Sequence, residues 1–101
     1  MSYSYNLSQE AEDEMFEAYI WYEQQRRGLG EEFFISLEGA ERSIIQNPAA
    51  YRFRNKRKKV RGCLIERFPY LILYILNKND IDVISVFHTS RDPKIWKNRV
   101  K

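Results

Sequence analysis

An α+β fold is predicted, with the order β-α-α-β-β-β: an antiparallel sheet packed against a helical hairpin and a short C-terminal helix. Three observations carry this expectation. Two stretches of helical periodicity follow one another in the first half, with only Gly28-Leu29-Gly30 between them. An unbroken apolar segment, Tyr70-Leu71-Ile72-Leu73-Tyr74-Ile75-Leu76, lies in the second half. Turn signals at Phe68-Pro69 and Asn77-Lys78-Asn79-Asp80 divide the region around it into a meander of three strands. At 101 residues the chain buries about two-thirds of its unfolded surface, enough for one core. Residues 1–101 are therefore expected to form one domain.

The elements follow in order. Tyr3 and Tyr5 alternate with polar neighbours over Ser2 to Asn6, which suits a short strand at a sheet edge. Ser8 is placed to cap a helix whose first turns carry Glu10, Glu12 and Asp13, where the helix dipole favours negative charge. Ala11, Met15, Ala18, Tyr19 and Tyr22 form its apolar stripe, and Arg26-Arg27-Gly28 is its stop signal. A second helix begins near Gly30, buries Phe33, Leu37, Ala40 and Ile44, and ends at Asn47-Pro48. The short glycine link predicts an antiparallel pair. Gly39 interrupts the second helix, and a close approach by a neighbouring element is the expected reason.

The basic run Lys56-Arg57-Lys58-Lys59-Val60-Arg61 opens the first strand of the meander. A central strand as apolar as Tyr70–Leu76 is covered on both faces, by the helices on one and by a partner or a terminal segment on the other. In the last strand, strict alternation places Ile81, Val83 and Phe87 on one face and Ile84, Val86 and His88 on the other. Asp92-Pro93 then starts a short helix bearing Trp96.

Composition narrows the function. The longest apolar run is seven residues, far short of a membrane span. The N-terminus lacks a basic start followed by an apolar stretch, so no signal peptide and a cytoplasmic location are expected. Cys63 is the only cysteine and His88 the only histidine, too few ligands for zinc and no partner for an internal disulfide. Cys63 is expected in the core, and neither a metal nor a cofactor is expected. Residues 1–50 hold ten acidic and three basic side chains (net −7), residues 51–101 four acidic and fourteen basic (net +10). Such a division suits either a polyanionic partner for the second half or mutual attraction of the halves.

Two groups of residues could carry chemistry. In an extended strand Arg57, Lys59 and Arg61 project the same way over roughly 13 Å, a row able to hold phosphates. The same charges could simply keep an edge strand from aggregating. Seven of the ten residues from Arg52 to Arg61 are basic, more than edge protection requires. His88 and Arg91, at the end of the last strand, could shuttle a proton and stabilise charge in metal-free RNA cleavage. A lone histidine at a strand end is more often structural, hydrogen-bonded to a neighbouring backbone group. The many aromatics of the first helix, Phe16, Tyr19, Trp21 and Tyr22, cannot all face one core, so part of them should form a surface for a protein partner.

With Phe68-Pro69-Tyr70-Leu71-Ile72-Leu73-Tyr74 followed by Val86-Phe87-His88-Thr89-Ser90-Arg91-Asp92-Pro93-Lys94-Ile95-Trp96, the chain resembles the RelE/ParE superfamily of toxins from type II toxin–antitoxin systems, over nearly its whole length. The resemblance implies a bacterial growth inhibitor encoded beside an antitoxin protein that covers it, operator DNA being contacted only through the antitoxin complex. RelE-like members cleave mRNA on the ribosome, and that activity would use Arg57, Lys59 and Arg61 on phosphate with His88 and Arg91 as catalytic groups. ParE-like members, known as plasmid stabilisation proteins, poison DNA gyrase. Leu71 and Trp96 stand where ribonuclease members commonly carry arginine and tyrosine, and the ending His88–Trp96 is more similar to ParE. The resemblance therefore implies gyrase as target, with ribosome-dependent RNA cleavage and a non-toxic antitoxin-binding module as the alternatives.

Overall fold

A computed structural model describes residues 2–100. Its elements are β1 (Ser4–Leu7), α1 (Gln9–Gln25), α2 (Leu29–Gln46), a 3-10 turn (Pro48–Ala50), β2 (Phe53–Asn55), β3 (Val60–Leu64), β4 (Tyr70–Asn77), β5 (Asp80–His88) and α3 (Lys94–Lys97). The five strands form one sheet in the order β1-β5-β4-β3-β2. The expected α+β order holds, with two refinements. β1 lies parallel to β5, so the sheet is mixed, and β2 is an additional strand that pairs with β3.

Local chemistry accounts for the helical hairpin. The Ser8 side chain accepts the Ala11 N–H at 3.1 Å and starts α1. Gly28 turns the chain in the left-handed region at φ +89°. The Glu23 carboxylate of α1 then accepts the N–H groups of Gly28 and Gly30 (3.0–3.1 Å), satisfying donors at the start of α2 that no helical carbonyl can reach. A Cβ on Gly30 would lie 2.8 Å from both the ring and the carbonyl oxygen of Tyr19, so this glycine lets the helices close.

The expectation for Gly39 is not met: the nearest atom to a Cβ there is the Arg42 guanidinium, at 3.9 Å. The close approach is at the hairpin's start instead. Replacing Gly39 by alanine should therefore stabilise the protein by about 1 kcal/mol through helix propensity. Gly30→Ala should destabilise it by about 2 kcal/mol through overpacking, and urea unfolding of the two variants would read the opposite signs.

The sheet has a core on each face. On the helix side Phe33, Leu37 and Ile44 pack on Ile72, Tyr74, Ile81 and Val83. On the outer side Val60, Leu73 and Phe87 are covered by Trp96 of α3. The central strand is thus buried on both faces by the chain's own elements, the outer cover being terminal. Lys58 fastens that cover, its Nζ donating to the carbonyls of Val100 (2.7 Å) and Lys97 (3.2 Å).

Strict alternation fails in β5. Its register against β4 slips between Leu73 and Tyr74, where Ser85 and Val83 are the successive partners and Ile84 is the extra residue. An inserted residue reverses the facing of everything beyond it. Val86 accordingly joins Ile81 and Val83 in the helix-side core, while Phe87 moves to the outer core with Ile84.

Candidate functional site

The basic run is not an extended strand. Residues 56–59 form the turn of the β2–β3 hairpin, closed by the Asn55 side chain accepting the Lys58 N–H at 3.0 Å and by Lys59 in the left-handed region at φ 56°. Arg57, Lys59 and Arg61 therefore do not share one face. Adjacent cations repel along a strand, and a turn lets them diverge into solvent. Arg57 and Lys59 are exposed at the tip. Arg61 is committed within the fold: its guanidinium donates to the carbonyls of Tyr51 (2.7 Å) and Ala49 (3.1 Å) and lies 4.1 Å from the centre of the Phe53 ring. It braces the segment leading into β2.

His88 and Arg91 sit at the other end of the sheet. Val60, just beyond the tip, stands opposite Ile75 and through it Asp82, whereas His88 stands opposite Tyr70. The six steps of β5 from Asp82 to His88 cover roughly 20 Å. A phosphate held at the tip is out of reach of His88. The histidine is also engaged locally, its Nδ1 accepting the Ser90 N–H at 3.1 Å with Ser90 Oγ at 2.7 Å. That arrangement places the proton of a neutral ring on Nε2. The ring meets Tyr70 edge-on at 5.0 Å, and burial pushes the Tyr70 phenol up to about 12.

A buried carboxylate that sequence reasoning passed over organises this end. Glu14, 9% exposed, accepts Ser85 Oγ–H (2.9 Å) and the Val86 N–H (3.2 Å) on Oε1. Arg99 binds both its oxygens, at 3.0 and 3.3 Å, and also donates to the Ile84 carbonyl at 2.9 Å. Arg91 lies 3.5 Å away. β1 stops pairing at Val83, so beyond it the edge of β5 is completed by side chains instead of backbone. The sequence did contain a signal: Glu14 falls between Ala11 and Ala18 on the apolar stripe, where a charge persists only if paired. Glu14, Trp21, Tyr22, Tyr70, His88 and Arg91 line a groove of about 450 Å³ between α1 and the end of β5.

The first helix does expose the expected aromatics. Phe16 (48%), Ile20 (55%) and Trp21 (56%) stand out from α1, and Phe16 leans edge-on against Phe34 of α2 at 6.0 Å. Cys63 is in the core, with burial raising its thiol above the ordinary value. No helix among the described residues is long and apolar enough to cross a membrane.

Comparison with known proteins agrees with this architecture. A solved structure from the chromosomal ParDE TA system of P. aeruginosa is similar in fold, with a TM-score of 0.67 and 15% identity, covering 88% of this chain and 98% of that one. No curated protein matches in sequence. The family model for the ParE toxin of the type II toxin–antitoxin system parDE matches residues 5–93. The chain belongs to the ParE toxin family of type II toxin–antitoxin systems.

Proposed function

We propose that this protein is the growth-inhibiting toxin of a type II module and that its target is DNA gyrase in the cytoplasm, with a cognate antitoxin protein holding it inactive. The family match over residues 5–93 carries the reading. The basic tip and His88 lie at opposite ends of the sheet, so the row of cations and the histidine that a ribonuclease would use together are not brought together, which favours gyrase over RNA cleavage. The exposed Phe16, Ile20 and Trp21 supply an apolar surface for a protein partner. Operator DNA would be reached only through the antitoxin complex.

Induction of the protein in bacteria tests the reading. Growth and thymidine incorporation stop while amino-acid incorporation continues; the reverse order of arrest would point to the ribosome, and unimpaired growth to a non-toxic antitoxin-binding module. The tip adds affinity for polyanions. Arg57→Ala with Lys59→Ala should make the slope of log K against log salt for DNA binding shallower by about 2, close to one for each phosphate no longer neutralised. An unchanged slope would show that the tip is only solvated.

A further inference from the structure

The toxin reading leaves the groove between α1 and the end of β5 without a role. Glu14, Glu17 and Trp21 fall at i, i+3 and i+7 on α1, so one face of the helix supplies one wall. Tyr70, His88 and Arg91 line it from the sheet side. The charges here are unevenly matched. Arg99 meets the single charge of Glu14, binding both its oxygens at 3.0 and 3.3 Å. Arg91 is left with one contact of 3.5 Å to Glu14, and its side chain is 46% exposed. Among the described residues Glu17 is in no ion pair, with Arg91 or any other cation. One guanidinium and one carboxylate are thus in surplus around a volume of about 450 Å³. Aromatic rings share the groove: Trp21 meets Tyr22 edge-on at 5.1 Å, and Tyr70 lies 6.2 Å from Tyr22. The Tyr70 phenol, pushed up to about 12 chiefly by burial, stays protonated at neutral pH and feels the charges of Arg91, Glu14 and Glu17.

We propose that this groove binds a free α-amino acid with an aromatic side chain, its carboxylate on Arg91, its ammonium on Glu17 and its ring among Trp21, Tyr22 and Tyr70. A zwitterion answers both surplus charges at once, whereas a purely anionic ligand meets Glu17 and a purely cationic one meets Arg91. The guanidinium offers a planar fork that matches a carboxylate. His88, whose Nδ1 is taken by Ser90, turns its Nε2–H into a further donor in the same groove. Rings set edge-to-face favour an aromatic guest over an aliphatic one of equal size. The volume is within the range of small-ligand sites. An internal segment of a partner protein fits less well, because it brings neither a free ammonium nor a free carboxylate.

Isothermal titration calorimetry of the whole protein tests this with L-phenylalanine, 3-phenylpropionate, which lacks the ammonium, and phenethylamine, which lacks the carboxylate. Each analogue should bind about tenfold more weakly than the amino acid, the effect of losing one charge-assisted hydrogen bond. Glu17→Gln should weaken L-phenylalanine about tenfold and not weaken 3-phenylpropionate. Arg91→Gln should weaken L-phenylalanine about as much and not weaken phenethylamine. Both side chains are exposed, and circular dichroism checks that the variants are folded. The proposal is overturned if L-phenylalanine shows no binding at millimolar concentration, if N-acetyl-L-phenylalanine amide, which carries neither charge, binds as well, or if Glu17→Gln weakens 3-phenylpropionate as much as the amino acid. No probe involves gyrase or an antitoxin, so the outcome is independent of the toxin reading.

Discussion

Replacing Glu14 by alanine should lower stability by about 3 kcal/mol, the cost of leaving buried partners of a carboxylate unsatisfied. Three groups lose their acceptor together: the Ser85 hydroxyl, the Val86 N–H, and the guanidinium of Arg99, whose side chain is only 19% exposed. For a domain of this size the loss corresponds to a drop in melting temperature on the order of 15 °C. Glu14→Gln keeps an oxygen for Ser85 and Val86 and loses only the charge, so it should fall between the parent and the alanine variant. A cycle with Arg99→Ala would separate the terms. If the pair is coupled, the double substitution costs less than the two single ones added together. Simple additivity in urea unfolding would contradict the network.

Phe33→Ala should be of similar or greater size, about 4 kcal/mol, from the lost transfer energy and the cavity left behind. Phe33 is fully buried and stands at the centre of an aromatic cluster. Its ring lies 5.1 Å from Tyr70, 5.4 Å from Phe68 and 5.5 Å from Tyr22. These partners come from β4, the loop before it and α1, so the substitution loosens the attachment of α2 to everything it covers. The neighbouring Phe34 is only partly buried, and Phe34→Ala should cost about half as much, since less area returns to water. Equal losses at the two positions would mean that the cluster is not centred where the ring distances place it.

Much of this fold is legible in the sequence because periodicity and punctuation agree. Ala11, Ala18, Phe33, Leu37 and Ile44 are identifiable as core from spacing alone, and all are buried. The run Tyr70–Leu76 can only be a strand covered twice. What is not legible depends on long-range partners. Nothing near Ser4–Leu7 reveals that it pairs in parallel with β5, because the choice is made by where the helical hairpin delivers the chain. The extra residue at Ile84 has no local signature, yet it reverses the facing of Val86 and Phe87.

The candidate site is harder to read, for the same reason. A row of cations at alternate positions looks like one face of a strand until Asn55 closes a turn through it, and that turn sends Arg57 and Lys59 outward while Arg61 folds back. His88 and the basic run belong to one sheet, but the antiparallel register puts them at its opposite ends. Gly62, inconspicuous in the sequence, has a use only once Arg54 is seen lying across it.

The most direct test of the toxin reading is negative supercoiling of relaxed plasmid by purified DNA gyrase, with the folded protein added in increasing amounts. Supercoiling is expected to fall with dose and cleaved gyrase–DNA complexes to accumulate. Undiminished supercoiling at a large excess of protein, alongside cutting of ribosome-bound mRNA in a parallel reaction, would contradict it.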